Sequence, residues 1–455
     1  MVFIIRVNMW RKSKYNVMTT YKDKIALHNL LMHKGVLIEQ SDLEKLNNIL
    51  STPDNYKECN FFKTFTDYGF IVKDNVDEIE LVEKEKYDLL KKKRKTLSLT
   101  VIPTYQCNFK CIYCWENTKN TNDNMSEEAQ AKLISFVNEQ MKESSSLDID
   151  WFGGEPLIAF DVIKNLLVNF DVICKKYNKP YACAMTTNGY ALTLDKFKFL
   201  LKYHTHFFQI TLDGNKNLHN RNRPLKNGSE TFDVILNNMR NIRDNIKEQY
   251  FKFIIRLNVT EETISNSDEY FEMIEKEFAY DKRFQLYIQS VERHNELRFD
   301  EMKDKYLYNQ EVIEDLYDYC IDKGIMTYSL KMLRPGDFMC KAMHDRSVFV
   351  DPKCGIYKCD MDMCESHVSY MGNLFNDKNI GLQDSRYIYW KSIMNKLDYC
   401  NDCILLPLCC GLKCPYYNTL NPKERCEIYN NYSLVKGAVK SYAQHNRYDL
   451  ISINN

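Results

Sequence analysis

The chain carries no net charge: 62 Lys and Arg offset 62 Asp and Glu over 455 residues. A balanced chain exerts no general pull on polyanions, so neither nucleic acid nor a membrane is an expected partner. No run of eighteen or more apolar residues occurs, which excludes a spanning helix. The opening MVFIIRVNMWRKSKY lacks a leading basic region and a small-residue cleavage site, so it does not read as a signal peptide and a cytoplasmic location is expected. Internal repeats and low-complexity tracts are missing as well. Cysteine is not: there are 17. In a reducing compartment, clustered cysteines serve metals or redox chemistry rather than disulfides.

Residues 1–95 read as a separate module. ALHNLLMHKGVLIEQ suggests two strands turning at Lys34-Gly35, and SDLEKLNNIL opens a helix with Ser41 and Glu44 as a capping box. A second helix around NYKECNFFKTFTDY stops at Gly69 before the strand-like GFIV, a helix-helix-strand order that resembles a small winged-helix-like module. The charged stretch VDEIELVEKEKYDLLKKKRK then forms a solvated helix.

From residue 97 strands and helices alternate. LSLTVIP, LDIDWFG, YACAMTTN, FFQITLDG, FKFIIRLNV and QLYIQSV are strand-like, with helical stretches between them. Six strands with intervening helices predict an α/β fold, a partial (β/α)6 TIM-like barrel over residues 96–325. Cys107, Glu155, Asn188 and Asp213 each follow a strand end, where barrel active sites converge. A loop-rich, metal-dependent domain is expected over 326–435 and a tail over 436–455.

Four cysteines, Cys59, Cys174, Cys183 and Cys320, are scattered and read as small buried hydrophobes. Three crowd into PTYQCNFKCIYCWEN as CxxxCxxC: Cys107, Cys111 and Cys114. A 4Fe–4S cube is normally held by four thiolates, so three would leave one iron open to an outside group. Three thiolates and a histidine would instead make a structural zinc site, although no histidine lies near the motif.

CNFKCIYC followed in order by WFGGEP, TTNG, TLDG and RLN resembles the radical S-adenosylmethionine (radical SAM) superfamily over about residues 97–300. The resemblance implies that SAM chelates the open iron through its amino and carboxylate groups. An electron from the cluster would then cleave it to methionine and a 5′-deoxyadenosyl radical that abstracts a substrate hydrogen. It further implies that Tyr113 lies beside the adenine, that Gly153 and Gly154 admit SAM closely, and that Glu155 receives its ammonium. Asn188, Thr211 and Asp213 fall at ribose and methionine contacts, and Arg256 at the SAM carboxylate.

The later cysteines resemble the SPASM extension of that superfamily, a C-terminal iron–sulfur domain with two auxiliary 4Fe–4S clusters. Cys340, Cys359 and Cys414 would serve the first, with Cys354 or Cys364 as a fourth ligand or a site left open. Cys400, Cys403, Cys426 and either Cys409 or Cys410 would serve the second. Two departures from the family pattern stand out. Cys354 occupies a glycine position, and Cys414 comes one residue late. Zinc is the alternative occupant of both thiolate sets.

The whole layout resembles peptide maturases of ribosomally made natural products. It implies a radical SAM peptide-modifying oxidoreductase that installs a thioether or carbon–carbon cross-link in a precursor peptide, whose leader is gripped by strand addition to the N-terminal module. The implied reductant is a flavodoxin or ferredoxin. An anaerobic sulfatase-maturating enzyme that forms formylglycine is one alternative. A non-catalytic iron–sulfur, zinc-binding or electron-transfer protein is another.

Overall fold

The computed structural model describes residues 9–91, 95–114, 123–247, 250–291, 311–328, 333–360, 363, 368–376, 385–392, 398–412 and 432–453. They divide into two compact units, each discontinuous in sequence. One comprises residues 1–92, 309–340 and 394–455, the other 93–308 and 341–393.

In the first unit a short strand β1 (Trp10–Lys12) precedes an antiparallel meander of β2 (Asn16–Tyr21), β3 (Lys24–Asn29) and β4 (Lys34–Glu39). The β3–β4 turn occupies residues 30–33, ahead of the expected Lys34-Gly35. The Asn29 carboxamide accepts from the amides of Leu31 and Met32, and His33 takes the left-handed φ of 50°. Helix α1 (Leu43–Ser51) is entered through a 3-10 turn over Gln40–Asp42, which absorbs Ser41 and leaves the expected capping box unmade. The second expected helix is split into a 3-10 turn at Pro53–Tyr56 and helix α2 (Phe62–Asp67). Strand β5 (Ile71–Lys73) pairs with β1, and helix α3 (Glu78–Lys91) follows.

The last residues do not form a tail. Strand β15 (Asp449–Leu450) adds parallel to β4, the amide of Ile451 donates to the Leu37 carbonyl at 2.9 Å, and Ile453 is fully buried among Leu27, Val36, Phe65 and Phe70. Gly35 is glycine because a Cβ there would come within 2.8 Å of the Tyr448 ring. Two later helices, α11 (Glu311–Asp322) and α14 (Tyr432–Gln444), pack together, with buried Lys440 held by Asp318 at 2.7 Å. A one-turn helix, α13 (Leu406–Cys409), also lies here.

The second unit contains the expected six parallel strands: β6 (Thr96–Val101), β7 (Ser146–Trp151), β8 (Tyr181–Thr187), β9 (Thr205–Thr211), β10 (Lys252–Val259) and β11 (Phe284–Ser290). Between them run α4 (Glu127–Gln140), α5 (Phe160–Tyr177), α6 (Leu194–Lys202), α7 (Lys216–Asn222), α8 (Phe232–Asn245), α9 (Glu261–Ser265) and α10 (Ser267–Phe278). The register of β9, β10 and β11 places Phe208, Phe253 and Phe284 side by side, and they stack with centroids 5.4 and 5.0 Å apart.

Residues 347–350, 355–357 and 370–373, expected within a loop-rich domain, extend this same sheet. Strand β12 (Ser347–Val350) runs parallel to β6, and β13 (Gly355–Tyr357) and β14 (Tyr370–Asn373) follow antiparallel. Helix α12 (Ser385–Ser392) comes after them. These strands are too short to show a hydrophobic period in sequence. Of the scattered cysteines, Cys174, Cys183 and Cys320 are buried as expected, while Cys59 is half-exposed.

Candidate active site

The segment from Ile102 to Cys114 leaves the C-terminal end of β6 and is held from two sides by its backbone. On one side the amides of Gly154 and Glu155 donate to the carbonyls of Thr104 (3.2 Å) and Gln106 (2.8 Å). On the other, Lys110 and Ile112 donate to Pro224 and Asn222 at 2.9 and 3.0 Å, and Lys226 donates back to Asn108 at 2.8 Å. The glycine pair follows from this approach. A Cβ on Gly154 would lie 2.5 Å from the Tyr105 carbonyl oxygen, and one on Gly153 would lie 2.7 Å from that of Thr104, where φ is also +117°.

Cys111 is buried, while Cys107 and Cys114 are half-buried. Burial pushes the Cys107 thiol up to about 12 and Cys111 to about 11, with Cys114 adding to the rise at both and Cys111 to that at Cys107. Their donor chemistry fits an iron–sulfur cluster. Three sulfurs share one loop, and the Phe109 amide already points at Cys107 Sγ from 3.4 Å, a contact that favours thiolate. Among the described residues no three His, Cys, Asp or Glu side chains surround a single point.

Glu155 is buried with a full set of protein donors. Its carboxylate accepts from the Leu157 amide (3.0 Å), the Thr187 hydroxyl (2.7 Å) and the Asn188 amide (2.7 Å). It thus ties the end of β8 to the loop after β7, and burial raises its pKa despite these bonds. Asn188 reaches from there to Asn108 on the cysteine loop at 2.8 Å.

Asp213, also buried, receives the Asn258 amide at 3.0 Å and the hydroxyl of Tyr113. The Tyr113 oxygen in turn accepts from Arg223 Nη1 at 2.7 Å and Asn258 Nδ2 at 3.2 Å. Burial is the main cause that raises Asp213, and the Arg223 guanidinium opposes it. Thr211 pairs in register with Arg256, whose Nε donates to Asn258 Oδ1 at 2.7 Å. The terminal nitrogens of Arg256 bond to none of the described residues.

Sequence reasoning missed Arg223, Asn258 and His219. Arg223 is buried 3.9 Å from Asp213, with its guanidinium 5.8 Å from the Phe109 centroid. His219 Nδ1 accepts the Asp213 amide at 3.1 Å. Burial drives the His219 pKa down, so the ring is neutral. For His219 and Arg223 the signal was NLHNRNR, a histidine and two arginines shortly after the TLDG strand end.

In the later cysteine field, Cys364, Cys414 and Cys426 lie outside the described residues. Cys354 is buried in the left-handed conformation at φ 63°, and its thiol donates to the Ala129 carbonyl at 3.3 Å. Cys359 is buried and Cys340 exposed. In the first unit, Cys400 and Cys403 form a turn closed by the Cys403 amide on the Cys400 carbonyl at 3.1 Å.

The doubled cysteines diverge. Cys409 Sγ accepts the Gly411 amide at 3.4 Å and, like Cys403, lies close enough to the Tyr15 phenol to raise its pKa. Cys410 is left-handed at φ 53°, and its thiol, pushed up to about 12 by burial, feels Glu85, Lys86 and Glu83 of α3 instead.

Residues 101–274 match the Radical SAM superfamily. Over 448 residues the chain is 22% identical to the radical SAM cyclopropyl synthase TigE of Paramaledivibacter caminithermalis, across 90% of this chain and 88% of that one. A cysteine-type anaerobic sulfatase-maturating enzyme of Clostridium novyi is 27% identical over 213 residues, 45% of this chain and 54% of its own. Among solved structures, anSMEcpe with bound AdoMet and the Cp18Cys peptide superposes with a TM-score of 0.59 at 20% identity, covering 77% of this chain and 99% of that one. Streptococcus suis SuiB bound to its precursor peptide SuiA gives 0.50 at 16% identity, covering 91% and 98%. At these identities the superpositions speak for the fold, a TIM-like partial barrel with added domains.

Proposed function

From a radical SAM domain over residues 101–274, we propose that this chain is a peptide-modifying oxidoreductase that abstracts hydrogen from a ribosomally made precursor and installs a thioether or carbon–carbon cross-link. The observation that carries the reading is the extent of similarity to the cyclopropyl synthase: it spans 90% of the chain, well past the barrel. That relative's name favours the carbon–carbon arm. The SuiB superposition is of similar extent, whereas that on anSMEcpe leaves nearly a quarter of this chain without a counterpart.

Cys107, Cys111 and Cys114 would hold the SAM-binding 4Fe–4S cluster, which when bound supplies the electron that cleaves SAM to the 5′-deoxyadenosyl radical. The chain's own part is positional. The two-sided backbone grip fixes the cysteine loop. Arg256 offers uncommitted terminal nitrogens to a carboxylate, with Tyr113, Gly153, Gly154, Asn188, Thr211 and Asp213 as further SAM contacts. Glu155, with three protein donors, serves first to organise the strand ends and second as the ammonium partner.

For the second auxiliary cluster we assign Cys409 rather than Cys410, beside Cys400, Cys403 and Cys426. The different surroundings of the two thiols support this choice: Cys409, like Cys403, acts on Tyr15, whereas Cys410 lies among charges of α3. Cys340, Cys359 and Cys414 would serve the first, with Cys354 or Cys364 as the fourth ligand. A flavodoxin or ferredoxin would supply electrons, and the cytoplasm is the fitting location. Among the described residues no helix is long and apolar enough to cross a membrane. If the N-terminal module takes a leader by strand addition, the β4 edge is already covered by β15, which leaves β2 as the other edge of that sheet among the described residues.

The test is anaerobic incubation with SAM and dithionite beside a precursor encoded near the gene, followed by mass spectrometry. The proposal expects 5′-deoxyadenosine and a peptide lighter by two hydrogens with its sulfur retained. Exchange of a cysteine sulfur for an aldehyde oxygen would favour sulfatase maturation, the reading supported by the Clostridium novyi relative. Absence of 5′-deoxyadenosine would sink both.

A further inference from the structure

Strands β6, β7, β8 and β9 carry two rows of side chains on opposite faces. Val101, Trp151, Met185 and Phe208 are cross-strand neighbours, and the Phe197 ring of α6 packs on Phe208 with centroids 4.8 Å apart, so this row faces the helices. Side chains alternate along a strand, so the row one residue back, Thr100, Asp150, Ala184 and Phe207, lies on the inner face of the partial barrel. Phe349 of β12 continues it beside Thr100. Thr100 and Asp150 each sit one residue before the end of their strand, at the mouth from which the cysteine loop leaves.

Lys341 reaches into this row. Its amine donates to Asp150 Oδ2 at 2.5 Å and to Thr100 Oγ1 at 3.3 Å, and it stands 5.5 Å from the Phe349 centroid. The two charged side chains remain open, with Asp150 39% and Lys341 43% exposed, whereas Thr100 and Phe349 are buried. An ion pair so exposed adds little to stability. Neither residue belongs to the groups assigned to SAM. A carboxylate only accepts and an ammonium only donates, so side by side they match the N–H and C=O of a peptide backbone. Their charges cancel, so the pair does not select a charged side chain.

We propose that Asp150 and Lys341 hold the substrate peptide by its backbone, Asp150 accepting an amide N–H and Lys341 donating to a carbonyl, and so present the residue to be modified at the barrel mouth. The inference rests on the peptide-modifying reading above. Without the pair the target carbon is badly placed before the radical, so more SAM is cleaved for each cross-link made.

The experiment incubates the full, anaerobically reconstituted chain with SAM, dithionite and the precursor encoded near the gene. 5′-Deoxyadenosine and cross-linked peptide are counted by mass spectrometry for the parent, Asp150→Ala, Asp150→Asn and Lys341→Met. The number of 5′-deoxyadenosines per cross-link is expected to rise about threefold to tenfold in Asp150→Ala and Lys341→Met, the effect of one lost polar contact. Asp150→Asn, which keeps an acceptor oxygen, should rise less. An unchanged ratio in either Asp150→Ala or Lys341→Met, or the loss of both products together, would assign the pair to the scaffold and overturn the inference while the function stands. A parent that forms no cross-link would overturn the peptide-modifying reading itself, and this inference with it.

Discussion

Arg223 and Asp213 are both buried beside the Tyr113 hydroxyl, and neither has water to fall back on. Arg223→Met should cost about 3–5 kcal/mol in urea unfolding, because it strands the Asp213 carboxylate. Arg223→Lys should recover part of that. Glu155→Gln should cost about 1–3 kcal/mol by the same measurement, since a carboxamide cannot accept from both the Thr187 and Asn188 sides.

His28 supplies the pH dependence. Burial lowers its pKa to about 3, and its Nδ1 contacts the Tyr448 hydroxyl at 3.0 Å. Between an unfolded value of about 6.5 and that folded value only the unfolded chain takes up the proton, so stability present above pH 6.5 is lost as pH falls. From pH 7 to 5.5 the parent should lose roughly 1–1.5 kcal/mol more than His28→Gln in urea midpoints. Cys107, Cys111 and Cys114 were visible as a group in the sequence because they fall within eight positions of one another. Arg223 was not, because its meaning is set by Tyr113, which is 110 positions away.

Among the elements, the six parallel strands and helix α5 were legible because each spans a full period of its pattern. Strand β15 was hidden, since two residues carry no period and both are exposed. Its value comes from Ile453. Ile453→Ala should cost about 2–5 kcal/mol, the price of a core cavity, read by thermal or urea unfolding. The capping box at Ser41 matched a rule that the 3-10 entry overrode. Cys354 adopts a backbone that favours glycine, so Cys354→Gly should remove about 1 kcal/mol of left-handed strain while giving up a buried side chain.

For the molecule as a whole, sequence reasoning expected four consecutive segments. The chain instead passes from one unit to the other and back twice, because β12 belongs beside β6, and α14 and β15 beside the N-terminal strands. Such long-range closures leave no local trace. They also divide the later cysteines, with Cys354 and Cys359 in one unit and Cys340, Cys400, Cys403 and Cys409 in the other. Anaerobically reconstituted chain should hold about twelve irons and no zinc by elemental analysis, and about four irons beside zinc would refute the three-cluster composition. Residues 449–453 leave the ribosome after every cysteine has been made. At ~5–20 residues per second, β4 waits on the order of tens of seconds for its neighbour. A chain that stalls or is cut short before that point keeps an open sheet edge, so the first module is finished only after residues 449–453 have been made.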